Sequence, residues 1–229
     1  MIRVGVLASG GGTTFQALLD HVRAQPDRCW SVSVLLSDRP SAGALERART
    51  AGIPSAVVPV TGRSESDLTA DLLGRLEDAD VTVVALAGYL RLVPAPVVRA
   101  YRNRMLNVHP ALLPSFGGKG MYGDHVHEAV LSSGVRLTGP TVHWVTDEYD
   151  RGRSLAQWPV PVRAGDTVER LRDRVQAAER ALYPHVLDRV CAALRAGDEP
   201  SPLDWTTDWL VATQASSHDP LTLMRTSCR

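Results

Sequence analysis

At 229 residues, with 44% apolar side chains, the chain has the length of one substantial domain or two small ones and the composition of an ordinary soluble globular protein. Its 25 basic and 25 acidic residues cancel, which excludes a strong uniform field aimed at nucleic acid or an acidic membrane surface. Cys29, Cys191 and Cys228 are widely spaced with no CxxC among them, so neither a disulfide framework nor a zinc site is expected, and no apolar run approaches membrane-spanning length.

The opening MIRVGVLASGGG ends its short apolar run in a glycine cluster, so it reads as a first strand, Arg3–Ala8, rather than a signal peptide. Cytoplasmic residence follows as the expectation. Thr13–Ala24 has helical spacing, with Phe15, Leu18, Leu19 and Val22 on one face. Ser31–Leu36 is a second strand, followed by the turn SDRPSAG and a helix through ALERARTAG. Ser55–Val60 is a third strand. SESDLTADLLGRLED opens with a serine cap and an acidic first turn, then continues as a helix. Val81–Gly88 is apolar throughout, as in a strand buried on both faces.

This alternation predicts an α/β fold with a Rossmann-like, doubly wound, mostly parallel sheet. Right-handed crossovers line up the strand C-termini along one edge, where ligands bind. Three polar features fall there: the glycine loop, GYLR, and NVHP at the end of a fifth strand. LTGPTVHWVTD and SLAQWPVPV are two strands with no helix between them, which predicts an added antiparallel pair. A long amphipathic helix from Thr167 to about Ala196 follows, facing Leu171, Val175, Ala178, Leu182, Val186 and Val190 inward, with Pro184 expected to kink it. We divide the chain into a domain over 1–196 and an extension over 197–229. Trp205 and Trp209 of the extension are expected to pack on the core or at an oligomer interface.

Ser9–Thr14, SGGGTT, lies between strand and helix, where bare N–H groups and the helix terminus favour a phosphate. Phe15 occupies the third glycine position of a dinucleotide fingerprint, and no Gly-Lys-Ser/Thr follows, so a single phosphate fits better than a pyrophosphate. Asp38, after the second strand, fits either a dinucleotide ribose or a turn. Asn107 and His109 are two apart at a strand end and point to one side. Their N–H groups could grip one developing negative oxygen, with Pro110 and Pro114 stiffening the exit. The alternative for His109 is a strand-end histidine bonded to backbone. His143–Gly152, HWVTDEYDRG, adds three carboxylates in a turn, any of which could reach His109. His125 and His127, beside Glu128, match no standard zinc spacing, and no metal is expected.

At this point the residues resemble the phosphoribosylglycinamide formyltransferases. VLASGGGTTFQALLD, VVALAGYLRLV, MLNVHPALLPSF, TGPTVHWVTDEYDRG and RVQAAERALYP occur in that family's order over roughly residues 1–196. The resemblance implies formyl transfer from 10-formyltetrahydrofolate, as co-substrate, to the primary amine of glycinamide ribonucleotide in purine synthesis. It implies Asn107 and His109 as the catalytic pair and Asp150 as their acidic partner, which spacing alone could not choose. It further implies Gly12, Thr13 and Thr14 at the substrate phosphate and Glu179 at the ribose. Leu90, Arg91, Leu92 and Val93, with the turn Thr146, Asp147, Glu148, Tyr149 and Asp150, would hold the folate. The implied partners are a phosphorylated small-molecule amine and folate, with no nucleic acid or membrane; a homodimer is left open. Asp150 is expected to keep His109 charged.

Three departures qualify this. Thr14 stands where the family usually has asparagine. DRGRSLAQW replaces Asp-Gly-Gly-Pro, so Arg151 and Arg153 put bulk and charge beside the presumed folate pocket. The GGKGMYG insert brings Lys119, the one lysine of the chain, toward a ligand or into solvent. Other readings are a folate-dependent formyltransferase on a different amine, a deformylase, and a nucleotide-binding, dehydrogenase-type module using SGGGTT with Asp38. A transfer-RNA formyltransferase and a non-catalytic scaffold fit less well.

Overall fold

The structure is a computed structural model, described here for residues 1–25 and 28–203. The expectations for Trp205 and Trp209, and most of the 197–229 extension, lie outside the described residues.

Seven strands form one sheet in the order β3-β2-β1-β4-β5-β7-β8. They are β1 (Ile2–Ala8), β2 (Trp30–Ser37), β3 (Ser55–Val57), β4 (Val83–Leu86), β5 (Met105–His109), β7 (Thr141–Trp144) and β8 (Ser154–Gln157). The first five are parallel, and β7 and β8 add the expected antiparallel pair. A separate two-stranded ribbon joins β6 (Leu137–Thr138) to β9 (Val160–Pro161). The third strand stops at Val57, short of the expected Val60: Val58 still donates to the Ser37 carbonyl, but Pro59 next to it has no N–H to continue the ladder.

Helices cover both faces. On one face α1 (Thr13–Ala24) and α6 (Val168–Ala196) pack Phe15, Leu18, Leu171, Val175, Leu182 and Val186 over β1, β4, β5 and β7. On the other, α3 (Glu65–Asp78) and α4 (Ala95–Ala100) bury Leu68, Leu72, Leu76, Val97 and Val98 over Leu7, Leu36, Val84 and Leu86. Among the described residues the other helices are α2 (Gly43–Ala51) and α5 (Asp124–Ser133). The α3 cap is as expected, with Ser64 Oγ accepting from the Asp67 N–H at 3.1 Å. Helix α6 continues unbroken through Pro184, whose missing N–H costs the Arg180 carbonyl its helical partner; burial of Pro184 with Tyr183 and Leu187 offsets that loss.

Two contacts fix α6 in place. Tyr183, fully buried, donates its hydroxyl to the Leu106 carbonyl of β5 at 3.1 Å. Further along, Asp188 accepts from Trp30 Nε1 at 2.7 Å and His21 Nε2 lies 2.9 Å away, with Arg28 paired to the same carboxylate. These bonds pull Asp188 down to about pKa 2 against the opposing effect of burial. Past α6 the chain returns to the sheet, where the Leu203 N–H bonds the Leu155 carbonyl of β8 at 2.8 Å.

Candidate active site

The strand order reverses between β1 and β4, so the loops after these two strands diverge and open a crevice at their C-terminal ends. The loops are stitched at its base: the Ser9 N–H donates to the Gly88 carbonyl at 3.0 Å, and the Leu90 N–H donates to Ser9 Oγ at 2.9 Å. The glycine loop, the GYLR segment and the end of β5 therefore surround one space.

Gly12 sits in the left-handed region, φ 74°, and begins α1; a Cβ there would lie 2.7 Å from the Ala44 Cα, so only glycine lets α2 come this close. Thr13 is exposed at the helix start. Thr14 is buried and turns the other way, donating its hydroxyl to Glu179 Oε1 at 2.5 Å. Two of the residues assigned to substrate are thus bonded to each other. Protein packed around the Glu179 carboxyl pushes its pKa up to about 7, while the Thr14 bond and Arg180 oppose that rise. Arg47 of α2, which no motif singled out, donates to the Gly11 carbonyl at 2.8 Å and to Gln16 Oε1 at 3.2 Å. It places a positive charge beside the loop, suited to an anion.

Asn107 and His109 do point to one side of β5. Across the antiparallel register Asn107 faces His143 and His109 faces Thr141. His143 is buried, and its Nδ1 lies 2.9 Å from the Trp144 carbonyl, which can only accept, so Nδ1 carries the proton. Nε2 is then the acceptor for an Asn107 amide N–H at 3.1 Å. One of the two amide protons is spent on orienting the side chain, and the other is left for a ligand. His109, 3% exposed, donates Nε2–H to the Phe116 carbonyl at 2.8 Å and presents Nδ1 to Asp150 Oδ2 at 3.5 Å. Of the three carboxylates in the turn, Asp150 is the one held here. Its Oδ2 accepts the Gly118 N–H at 2.8 Å, and its Oδ1 lies 3.6 Å from His143 Nε2. Asp147 and Glu148 are exposed.

The electrostatics differ from the expectation in one respect. Asp150 does raise the His109 pKa, but burial acts more strongly, and the net shift is downward. The resting imidazole is neutral at neutral pH. Asp150 is held below the usual carboxylate range: burial pushes it up, but its neighbours His143 and His109 and the Gly118 N–H together outweigh that. A proton charging His109 would enter at Nδ1, between imidazole and carboxylate.

The residues expected on the folate side differ in exposure. Arg91 and Leu92 are exposed, Leu90 is half-buried, and Val93 is buried in the core. Arg91 Nε lies 3.3 Å from Asp38 Oδ2, and the Asp38 side chain is only 1% exposed. A carboxylate buried in this way is poorly placed to meet a ribose. Thr146 Oγ1 closes the 146–150 turn on the Glu148 carbonyl at 3.1 Å, and Tyr149 is exposed. Arg151 is exposed; the Arg153 guanidinium reaches toward the Pro200 carbonyl at 3.5 Å rather than into the Asn107–Asp150 group. Lys119 is exposed on its loop, and His125 pairs with Glu128 at 3.5 Å on the surface of α5. A hollow of about 540 Å³ beside β2, β3 and α3 lies away from all of these residues. Its arginines are already engaged, Arg3 with Asp80 and Arg75 with Asp71.

His143 and Arg47 escaped the sequence reading. The alternation of β7 put His143 on a strand, but its partner lies 36 positions earlier on β5, and only the register joins them. A basic residue in α2 carries no motif.

Residues 2–187 match the formyl transferase family. Among curated proteins, the chain is 44% identical over 191 residues to the chloroplastic phosphoribosylglycinamide formyltransferase of Arabidopsis thaliana, covering 82% of this chain and 65% of that one. It is 37% identical over 209 residues to the trifunctional purine biosynthetic protein adenosine-3 of Homo sapiens, covering 90% of this chain and 20% of that one. The chain thus spans less than two thirds of the length of these relatives. Among solved structures it superimposes on glycinamide ribonucleotide transformylase 1 from Symbiobacterium toebii with TM-score 0.78 and 42% identity, over 84% of this chain and 88% of that one.

Proposed function

Because the chain belongs to the formyl transferase family, and within it to the phosphoribosylglycinamide formyltransferases, we propose that it moves a formyl group from 10-formyltetrahydrofolate to the amine of glycinamide ribonucleotide. What carries the reading is the single constellation at the end of β5: Asn107 oriented by His143, and His109 between Phe116 and Asp150. The phosphate would sit on the Gly12–Thr14 amides with Arg47 alongside, and the ribose hydroxyls on Glu179. Folate would lie along Leu90–Val93 and the 146–150 turn.

In this mechanism the neutral amine attacks the formyl carbon. The carbonyl oxygen becomes an oxyanion, met by the free Asn107 N–H and by His109, whose Nε2–H must leave the Phe116 carbonyl to reach it. Negative charge growing beside a neutral imidazole raises its affinity for a proton, and Asp150 stabilises the imidazolium that results. The attacking nitrogen loses its proton, and the folate nitrogen gains one as the carbon–nitrogen bond to folate breaks; Asp150, through water, is the group positioned to relay it. None of these steps requires a metal. The balanced charge supports small-molecule partners rather than nucleic acid or a membrane surface. Among the described residues no helix is long and apolar enough to cross a membrane. Cytoplasmic residence and a homodimer belong to the same proposal.

His109→Ala and Asp150→Asn should each lower kcat by about 10²–10⁴ while leaving the circular dichroism spectrum that of the folded wild type. Near-native turnover by either purified variant would remove the assignment. The acceptor is tested with a folate formyl donor and a panel of amines. Formylation confined to an amine other than glycinamide ribonucleotide would transfer the reading to that acceptor.

A further inference from the structure

Helices α1 and α6 run alongside each other in the same direction, as their contacts show: Thr14 meets Glu179, and His21, one helical stretch later, meets Asp188. The second contact lies at the end of the seam away from the glycine loop, beside Trp30 at the start of β2. His185 joins it. His185 and Asp188 are three apart on α6 and share a face, and His21 comes across from α1. Among the described residues, this is the one trio of imidazole and carboxylate groups whose ligand atoms all lie within 4.8 Å of one another. His21 Nε2 is 2.9 Å from Asp188 Oδ2, and the two imidazoles meet edge to face with centroids 5.1 Å apart.

The carboxylate is divided in a telling way. Oδ1 is taken by Trp30 Nε1 at 2.7 Å and by Arg28, whereas Oδ2 is bonded to His21. Carboxylates that hold a metal are commonly arranged like this, one oxygen on the ion and the other fixed by outer donors that set its orientation. Two imidazole nitrogens and one carboxylate oxygen from facing helices suit a borderline divalent ion such as zinc, with water in the open position. Calcium and magnesium require more oxygens than the cluster supplies.

We propose that His21, His185 and Asp188 form a divalent transition-metal site that clamps α1 to α6 at the edge of the sheet opposite Asn107 and His109. The bound ion replaces the His21–Asp188 hydrogen bond and shifts the carboxylate only slightly, since Trp30 and Arg28 keep hold of Oδ1. Its role is structural, because the catalytic constellation lies at the strands' other ends. The competing account is a purely polar pin between helices, which gives no response to metal.

The test uses the full chain, stripped with chelator and titrated with Co(II). The expected result is a visible d–d band of low-coordinate cobalt that saturates at one equivalent, is displaced by zinc, and accompanies a raised Tm. Two exchangeable, hyperfine-shifted imidazole N–H signals should appear in the proton spectrum of the cobalt form. This identifies two histidine ligands without any variant and separates them from the thiols Cys29 and Cys191. His185→Ala, which leaves the Trp30 and His21 bonds to Asp188 intact, should weaken cobalt binding at least about tenfold with formyl transfer unchanged. Absence of a cobalt band with Tm unmoved by zinc, or cobalt binding by His185→Ala as tight as wild type, overturns the proposal.

Discussion

Glu179 is the residue whose charge state the fold sets most consequentially. Its carboxyl is held near pKa 7 with the Thr14 hydroxyl as its hydrogen-bond donor. A ribose hydroxyl donates more strongly to a carboxylate than to a neutral acid. Since the folded pKa is raised, Glu179 is protonated below about pH 7 and ionised above it, so substrate affinity should rise as pH passes through about 7. A KM profile between pH 5.5 and 8.5 checks this, as the approximate window around that midpoint. Glu179→Gln should flatten the profile. Thr14→Val removes a bond that favours the ionised form, so its midpoint should move upward; an unmoved midpoint would mean that Thr14 serves packing alone. The same raised pKa means that burying Glu179 favours folding below its unfolded value and loses that advantage as pH climbs through about 7. Part of the side chain keeps solvent, which makes the effect on stability smaller than the shift by itself would carry. Thr14 illustrates what a sequence does and does not disclose. Its place in the glycine loop was plain from SGGGTT, but its orientation toward a helix 165 positions away was not.

The hairpin of β7 and β8 is the element on which the site depends. Asp150 lies in its turn with φ 54°, a left-handed conformation for a non-glycine residue, anchored by the Gly118 N–H and between two imidazoles. Gly152 permits that turn. A Cβ there would fall 1.7 Å from the Trp144 carbonyl oxygen, so no side chain fits without moving the backbone. Of the expected Asp-Gly-Gly-Pro, the glycine that sterics demand is the one retained, and the position taken by Arg151 faces solvent. We expect Gly152→Ala to cost about 1–3 kcal/mol of stability and to reduce kcat well below the level that this destabilisation explains, because Asp150 shifts from His109. Urea unfolding and steady-state kinetics on the same preparation measure both; loss of stability with kcat intact would mean the turn accommodates the methyl without moving Asp150. Local pattern made the elements legible. Helix α1 runs Thr13–Ala24 as its apolar spacing predicts, and the two strands without an intervening helix form the antiparallel pair. Strand ends were less so, since β3 ends where a proline interrupts pairing that alternation alone would have continued.

Across the whole molecule, the sheet has polar hubs at both ends of the α1–α6 seam, Glu179 at one and Asp188 at the other. Asp188, with a folded pKa of about 2, contributes stability that is present above its unfolded value near 3.8 and disappears as pH falls through about 2. In chelator, Asp188→Asn should lose about 2 kcal/mol at pH 7, and the deficit should shrink as pH is lowered from about 5 toward 3. A deficit independent of pH would assign the loss to packing against Trp30 instead. The overall architecture followed from alternation and crossover rules. The Asp188 hub did not, because its members are spread from His21 to Asp188 and meet only when two helices align. Sheet edges carry a further consequence. Strand β3 has just three residues, which leaves little to template another chain. Strand β8 is longer, and the chain returning from α6 lies against it through Leu203 and the Leu155 carbonyl. A segment bonded there occupies backbone that another chain could otherwise pair with. A chain ending at Asp198 should keep its far-ultraviolet spectrum and turnover yet scatter light increasingly with concentration and time, as molecules recruit one another through the uncovered backbone of β8.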